Sequence, residues 1–134
     1  MITVDTSVTV AAFARWHVAH GVAREALKHV DRLIGHVAVE TYSVLTRLPP
    51  PRRVPAQLVI EFLGHSFPNP ALTLPDDHYA ELLRLAAAQN IVGGAIYDAL
   101  IAKTAGSHQA TLLTLDARAA STYAAVGVDH RLLS

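Results

Sequence analysis

Four acidic residues occupy positions from which their carboxylates could act together on one substrate. Asp5 in ITVDTSV, Glu40 in HVAVETYSVL, Asp98 in GGAIYDALI and Asp116 in TLLTLDARA each stand where a predicted strand or tight loop turns into a helix. In an open parallel α/β sheet, such junctions lie at one edge, outside the carboxyl ends of the strands, where ligands bind. The chain has only 11 Asp and Glu among 134 residues, so four at such junctions is a large share.

Carboxylates gathered at one edge repel one another unless a cation lies between them. Two unit charges ~5 Å apart at an effective dielectric constant of ~20 repel by about 3 kcal/mol. Such a cluster either raises its pKa values or binds a cation. Oxygen ligands in a chain without cysteine favour Mg²⁺ or Mn²⁺ over Zn²⁺. A carboxylate-held divalent ion is typical of phosphodiester chemistry, so the pattern predicts a metal-dependent phosphoryl-transfer site.

The four acids are unequal candidates for metal ligands. Each one alone could be a helix-start residue that complements the helix dipole. Asp5 and Asp116 follow almost unbroken apolar segments, where a charge is poorly solvated, and Asp98 follows a Gly-Gly turn. These three are therefore the stronger candidates for metal ligands. The role of Glu40, as a ligand or as the residue that positions a water, stays open.

Other common catalytic and phosphate-binding motifs are missing. Ser7 has no G-x-S-x-G environment, and the chain contains no G-x-x-x-x-G-K-[ST] phosphate loop. The second Asp of an aspartyl-phosphate DxD is absent, because Ser7 stands two residues after Asp5. His17 and His20 could share a helix face, but a zinc site there would need further ligands that the sequence does not offer.

The composition is that of one folded domain spanning residues 1–134. Hydrophobic residues make up 51% and charged residues 16%, which excludes disorder and predicts a filled core or an apolar surface covered by a partner. Basic and acidic residues balance at 11 each, and nine of the bases are Arg. No apolar run reaches the ~18 residues needed to cross a bilayer, and the start has no basic region typical of a signal peptide. We therefore expect a cytoplasmic protein.

Strands alternate with helices along the whole chain. Strands are predicted at residues 1–5, 34–39, 71–74, 110–115 and 128–132. Helices are predicted at Val8–His17, 21–33, 40–47, 55–65, 76–90, 95–106 and 117–125. Pro49–Pro51 and Gly127 should end two of these helices. The alternation predicts an α/β fold, a three-layer α/β/α sandwich around a mostly parallel sheet of four to five strands.

The segments around the four acids resemble the PIN domain, and more closely the VapC-type toxins of toxin–antitoxin pairs. The matching segments are MITVDTSV, VAVETYSVLTRL, GGAIYDALIAKTA and TLLTLDARAASTYAAVGV, and their order and spacing cover almost the whole chain. The resemblance implies a PIN-like fold and an Mg²⁺- or Mn²⁺-dependent endoribonuclease that cuts structured RNA such as transfer or ribosomal RNA.

The same resemblance assigns roles to residues and implies partners. Asp5, Asp98 and Asp116 would hold the metal, Glu40 would bind a metal or position the water, and Thr114 matches a hydroxyl position that lines such sites. The implied partners are a cognate VapB-type antitoxin, which covers an apolar groove between helices, and a second copy of the chain in a homodimer.

Two other functions compete with RNA cleavage. A PIN-like module that binds RNA or a partner without cutting would have lost one or more of the acids, and none is lost here. A phosphoacceptor signalling domain would carry paired acids after the first strand and a Lys after a late strand. Asp5 has no acidic neighbour, and the late strand ends in Asp116.

Overall fold

Three short parallel strands form the sheet at the centre of the molecule. The computed structural model describes all residues, Met1–Ser134. The strands are β1 (Ile2–Val4), β2 (Thr111–Thr114) and β3 (His130–Leu132), in the order β1-β2-β3. Val4 pairs with Leu113, and Leu113 pairs with Arg131. The carboxyl ends of β1 and β2, followed by Asp5 and Asp116, therefore lie at the same edge.

Seven α-helices and one 3₁₀ turn surround the sheet. The helices are α1 (Thr6–Phe13), α2 (His20–Leu27), α3 (Gly35–Thr46), α4 (Ala56–Ser66), α5 (Tyr79–Ala88), α6 (Ala95–Ser107) and α7 (Ala117–Val126). The 3₁₀ turn, Asp76–His78, leads directly into α5. The predicted α/β class with a parallel sheet is confirmed, but most of the residues around this small sheet are helical.

The predicted strands at 34–39 and 71–74 are wrong, and with them the count of four to five strands. Ile34 and Leu72 form an isolated parallel bridge, with hydrogen bonds from the Gly35 N–H to Leu72 O (2.9 Å) and from the Leu72 N–H to Leu33 O (2.8 Å). The apolar run that begins at Ile34 continues as helix α3. A short apolar run has no period that separates a buried strand from a buried helix. In α3, the burial of Val37, Thr41 and Leu45 shows the helical spacing of four.

The remaining predicted elements are present with shifted ends. Helix α1 ends at Phe13 instead of His17, and α2 covers His20–Leu27 instead of 21–33. Ala14 takes an extended conformation after α1, and no Gly or Pro marks this end in the sequence. Gly127 ends α7 in the left-handed conformation (φ 89°), as expected for a glycine after a helix.

The main hydrophobic core lies between the sheet and the first, second, third, sixth and seventh helices. Among its fully buried members are Val4 on β1, Leu112 on β2, Val8 on α1, Val37 on α3 and Tyr123 on α7. This core fixes the strand ends and helix starts relative to one another, which positions the acidic residues. No helix is both long enough and apolar enough to cross a membrane.

Candidate functional site

Asp5 is the most buried of the four acids and begins helix α1. Its backbone N–H donates to Leu113 O (3.1 Å) and so extends the β1–β2 pairing by one residue. Its Oδ1 accepts hydrogen bonds from the backbone N–H of Ser7 (3.0 Å) and from the Ser7 hydroxyl. A side chain that accepts from the second residue of a helix is an N-cap, which explains why an Asp can start α1.

A buried tyrosine holds the second oxygen of Asp5. The hydroxyl of Tyr123, on α7, donates to Asp5 Oδ2 at 2.7 Å, and Tyr123 is completely buried. Burial raises the pKa of Asp5. The hydrogen bonds from Ser7, Thr114 and Tyr123 lower this pKa, but by less than burial raises it. Burial and the Asp5 carboxylate raise the pKa of Tyr123, which keeps its hydroxyl protonated and able to donate. The sequence analysis missed Tyr123, because a tyrosine on a helix is usually a core residue.

Asp116 begins helix α7 in the same way that Asp5 begins α1. Its Oδ1 accepts from the backbone N–H groups of Arg118 (2.9 Å) and Ala119 (3.4 Å). Its own N–H donates to the Thr114 hydroxyl at 3.0 Å. Both strand-to-helix junctions of the site are therefore built around a capping carboxylate.

The Ser7 hydroxyl connects the two junctions. It donates to Asp5 and accepts the backbone N–H of Leu115 at 2.9 Å, and it lies 3.4 Å from the Thr114 hydroxyl. Thr114 is fully buried. Its hydroxyl supports Asp5 and Asp116 from behind, so Thr114 does not line the surface of the site as predicted.

Glu40 reaches the site from inside a helix. It is the sixth residue of α3, and the predicted strand-to-helix junction before it does not exist. Its Oε1 accepts from the Thr6 hydroxyl (2.7 Å), and its Oε2 lies 3.6 Å from His36 Nε2, one helical turn earlier. Glu40 was predicted at this edge for the wrong reason, because the packing of α3 against α1 brings it there.

Asp98 lies half-buried in the first turn of α6, and its pKa depends on the acids around it. Burial, followed by the charges of Glu40, Asp5 and Asp116, raises the pKa of Asp98 to about 6, while Arg118 lowers it. Mutual repulsion among the four acids is thus a property of the folded chain.

All four acids line one small cleft, which we call the acidic cleft. It has a volume of about 150 Å³. Its lining consists of Asp5, Thr6, Ser7, Glu40, Asp98, Ile101, Asp116, Ala119 and Tyr123. The structure therefore brings together the four acids that the sequence spreads over more than a hundred residues.

Comparison with known proteins identifies the family of the chain. The PIN domain family matches residues 2–125. The chain is 46% identical to Ribonuclease VapC40 of Mycobacterium tuberculosis over the full length of both proteins. It is 42% identical to Ribonuclease VapC27 of the same species over 128 residues, covering 95% of this chain and 93% of that protein. The chain belongs to the PIN-domain family, among its VapC-type members.

Solved structures share the fold of this PIN domain at low sequence identity. One is FitAB bound to an IR36 DNA fragment, with a TM-score of 0.73 and 19% identity over 98% of this chain and 94% of that chain. Another is FitAcB from Neisseria gonorrhoeae, with a TM-score of 0.71 and 21% identity over 97% of this chain and 96% of that chain. At these identities, the likeness supports the fold alone.

The carboxylate oxygens of the acidic cleft are the kind of ligand that hard divalent cations such as Mg²⁺ prefer. As the side chains stand, no three His, Asp or Glu residues converge on one point. Hydrogen bonds to Ser7, Tyr123, Thr6 and the start of α7 turn the carboxylates of Asp5, Glu40 and Asp116 towards the protein. A carboxylate has about four lone-pair sites, so these bonds leave acceptor capacity facing the cleft. The repulsion at Asp98 is what a cation would relieve.

The largest cavity of the PIN domain lies away from the acids, at the other end of α1. This basic groove has a volume of about 560 Å³. Its lining consists of Ala12, Phe13, Ala14, Arg15, Trp16, His20, Arg24, Leu45, Leu48, Arg52, Val54 and Phe62. The Arg52 guanidinium lies 4.0 Å from the centre of the Trp16 ring. The groove contains three arginines and no acid.

His17 and His20, near the end of α1, each contact nearby backbone through one ring nitrogen. His17 Nδ1 accepts the backbone N–H of Ala19 (3.0 Å), and His20 Nδ1 is 2.9 Å from Ala11 O. These hydrogen bonds hold each ring against backbone that precedes α2.

Proposed function

We propose that this PIN domain is the toxin of a toxin–antitoxin pair, a divalent-metal-dependent endoribonuclease that cuts structured RNA such as transfer or ribosomal RNA. The observation that carries the proposal is the acidic cleft, which four carboxylates line beside the carboxyl ends of β1 and β2. The full-length identity of 46% to a protein named a ribonuclease supports the choice of RNA as substrate.

A divalent ion completes the proposed site. Ribonucleases of the VapC type are generally metal-dependent, and we propose Mg²⁺ or Mn²⁺ held by Asp5, Asp98 and Asp116, with Glu40 as a further ligand or as the residue that positions water. When bound, the cation supplies Lewis acidity and charge neutralisation at the phosphate. Asp5 and Asp116 are held from behind by Tyr123, Ser7 and the start of α7, so their positions are fixed before any ion arrives.

Glu40 is suited to a step that moves a proton. One of its oxygens accepts from Thr6, whereas Oε2 accepts no hydrogen bond within the chain and has only His36 Nε2 nearby, at 3.6 Å. A carboxylate held by one oxygen keeps the other available to orient an attacking water and accept its proton. Glu40→Gln keeps the size and the bond from Thr6 but removes this basicity.

Cleavage of total RNA by the purified protein tests the function. We expect new RNA ends with Mg²⁺ or Mn²⁺, none with EDTA, and at least a hundredfold less cleavage by Asp98→Asn, as is typical of a lost catalytic group. Asp77→Asn is the matched control, because Asp77 is exposed and lies outside the cleft. Cleavage that survives both EDTA and Asp98→Asn would contradict the proposal. RNA binding without any cleavage would identify a binding module instead.

We further propose that an antitoxin of the VapB type occupies the basic groove. Its apolar floor, formed by residues such as Phe13, Leu45 and Phe62, suits an amphipathic segment, and its arginines suit acidic side chains on that segment. Co-expression with a candidate antitoxin, a small protein encoded directly upstream, tests the proposal, and the absence of any such neighbour would contradict it. We expect co-purification that Arg52→Glu weakens and Arg84→Glu, an exposed change outside the groove, leaves intact.

We also propose that two copies of the chain form a homodimer. Val39, Leu83 and Val92 are large apolar side chains that are mostly exposed in the single chain. Light scattering at micromolar concentration tests this, and the mass of one chain would contradict it.

A further inference from the structure

An aromatic pair lies beside the acids and is not explained by metal binding. The rings of His36 and Tyr97 are stacked, with centroids 5.6 Å apart and planes inclined by only 6°. His36 is on α3, one turn before Glu40, and Tyr97 is on α6, directly before Asp98. Two of the four acids are thus flanked by the members of one stacked pair.

Two separate links place this pair beside the acidic cleft. His36 Nε2 is 3.6 Å from Glu40 Oε2, and Glu40 lines the cleft. Tyr97 is bonded through the backbone to Asp98, which lines the cleft from the facing helix. Neither ring lines the cleft itself, but the stacked pair joins α3 to α6 directly beside two of its acids.

Core packing does not account for Tyr97. About half of its side chain, 52%, is exposed, and its hydroxyl makes no hydrogen bond within the chain. His36 Nε2, in contrast, is shielded from solvent and has no hydrogen-bond partner. His36 is the inner member of the pair, and it backs a tyrosine ring whose remaining surface is open to solvent.

The charge of the cleft explains why such a ring would be useful. A phosphate that approaches four carboxylates is repelled, and a cation offsets this only at the phosphate itself. Stacking of a base on an aromatic face supplies attraction that needs no positive charge and accepts any base.

We propose that Tyr97, backed by His36, is a stacking platform for an unpaired RNA base next to the phosphate in the acidic cleft. This inference rests on the proposed ribonuclease function and assigns a residue to substrate recognition. The substrate must then present a base outside a duplex at the cleavage point, because a paired base is already stacked on both faces.

Binding of a fluorescent oligonucleotide tests the platform. The probe is an octamer of uridine with one central 2-aminopurine, whose fluorescence falls when it stacks and stays high between weakly stacking uridines in the free probe. It is titrated with Asp116→Asn in Mg²⁺, a background that should not cleave and that keeps a good helix cap. In that background we expect Tyr97→Phe to bind and quench normally. Tyr97→Ala should raise the Kd by about fivefold or more, which is the smallest effect expected when one stacked base is lost. It should also abolish the quench.

Tyr79→Ala is the matched control, since Tyr79 is similarly exposed but lies on α5, which contributes no residue to the acidic cleft. It should bind and quench like the background protein. Equal Kd and quench for the two alanine variants would overturn the platform. The other explanation for an exposed Tyr97 is a contact between two copies of the chain, which light scattering on both variants tests. If Tyr97→Ala changes the mass of the assembly and Tyr79→Ala does not, the ring is such a contact and the platform is overturned.

The cleavage assay keeps this result distinct from the proposed function. Wild-type protein that cuts no RNA and binds no probe would contradict both proposals. Wild-type protein that cuts RNA, beside a Tyr97→Ala variant with unchanged KM and kcat, would contradict the platform alone.

Discussion

At the scale of single residues, each acid of the cleft is held in its own way. Both carboxylate oxygens of Asp5 accept hydrogen bonds, one from Ser7 and the other from Tyr123. Asp116 accepts a hydrogen bond from the first turn of α7. Glu40 is held on one oxygen by Thr6, and burial, followed by the charges of the other three acids, raises the pKa of Asp98. Hydrogen bonds to a charged group stabilise that charge. The hydrogen bonds therefore offset part of the unfavourable free energy of gathering four negative charges in the folded state.

Removing one hydroxyl should measure this support. In Tyr123→Phe, Asp5 Oδ2 loses its only donor and stays buried, a loss that typically costs about 1–3 kcal/mol. We expect a lower urea midpoint and weaker Mn²⁺ binding by calorimetry in the folded variant. Tyr79→Phe removes an exposed hydroxyl without a partner and serves as the control. Equal midpoints for both variants would show that the Asp5–Tyr123 bond contributes nothing.

Removing one charge should have the opposite effect on stability. The pKa of Asp98 is raised from 3.8 to about 6, so the folded state binds this proton more tightly than the unfolded state. The stability from this group is therefore complete below about pH 4 and is lost as pH rises through about 6. With a discount for solvent screening at a half-buried side chain, Asp98→Asn should stabilise the metal-free protein by about 1 kcal/mol at pH 7.5.

Urea unfolding in EDTA at pH 5 and pH 7.5 checks this gain, which should be smaller at the lower pH. Asp77→Asn, an exposed acid outside the cleft, should change little at either pH. A gain at pH 5 as large as that at pH 7.5 would show that ionisation of Asp98 is not its cause.

At the scale of elements, the same residues cap the helices and build the site. Asp5 and Asp116 start α1 and α7 directly after β1 and β2, so the sheet register places both caps at one edge. Helix α7 also contains Tyr123, and the position of Tyr123 depends on how the helix ends. Gly127 ends it at φ 89°, and its N–H donates to Tyr123 O.

A pair of Gly→Ala changes separates backbone conformation from space. An added Cβ meets nothing within 4 Å at either Gly127 or Gly64, but only Gly127 has a positive φ. Gly127→Ala should destabilise by about 1 kcal/mol, because an L-residue is strained there. Gly64→Ala, inside α4, should stabilise by about 0.5–1 kcal/mol. Thermal unfolding of both variants gives the sign, and a stabilising Gly127→Ala would contradict this account of the helix end.

At the scale of the whole molecule, catalysis and inhibition are proposed at opposite ends of α1. The acidic cleft contains four of the 11 acids, which leaves more basic than acidic residues on the rest of the chain. The basic groove contains three of the arginines. A molecule with zero formal net charge is thus divided into an acidic site and a basic docking surface.

A cation that binds only the folded chain must stabilise it. At a free ion concentration of a hundred times Kd, the gain is about 2.7 kcal/mol, or roughly 10 °C in Tm for a chain of this size. We expect MgCl₂ or MnCl₂ to raise the Tm, KCl at equal ionic strength to do so much less, and Asp98→Asn to lose most of the difference. Equal shifts with KCl and MnCl₂ would indicate charge screening in place of a bound ion.

Local sequence determined the parts of this protein that depend on neighbours along the chain. An apolar strand, an acid and a helix start are contiguous at Asp5 and Asp116, so both junctions could be predicted. Glu40 was placed correctly for a wrong reason, because the apolar run before it fits a buried strand and a buried helix equally well. The strand count failed at the same segment.

Only the tertiary structure decided which side chains support the acids. Tyr123 and Asp5 are 118 residues apart, and Thr6 and Glu40 are 34 apart, so no local pattern links them. Their contacts depend on how α7 and α3 pack on the core, which is a property of shape complementarity among many buried residues. The same packing buries Thr114 behind the cleft and leaves Tyr97 exposed beside it, because side-chain exposure is decided by what covers each helix face.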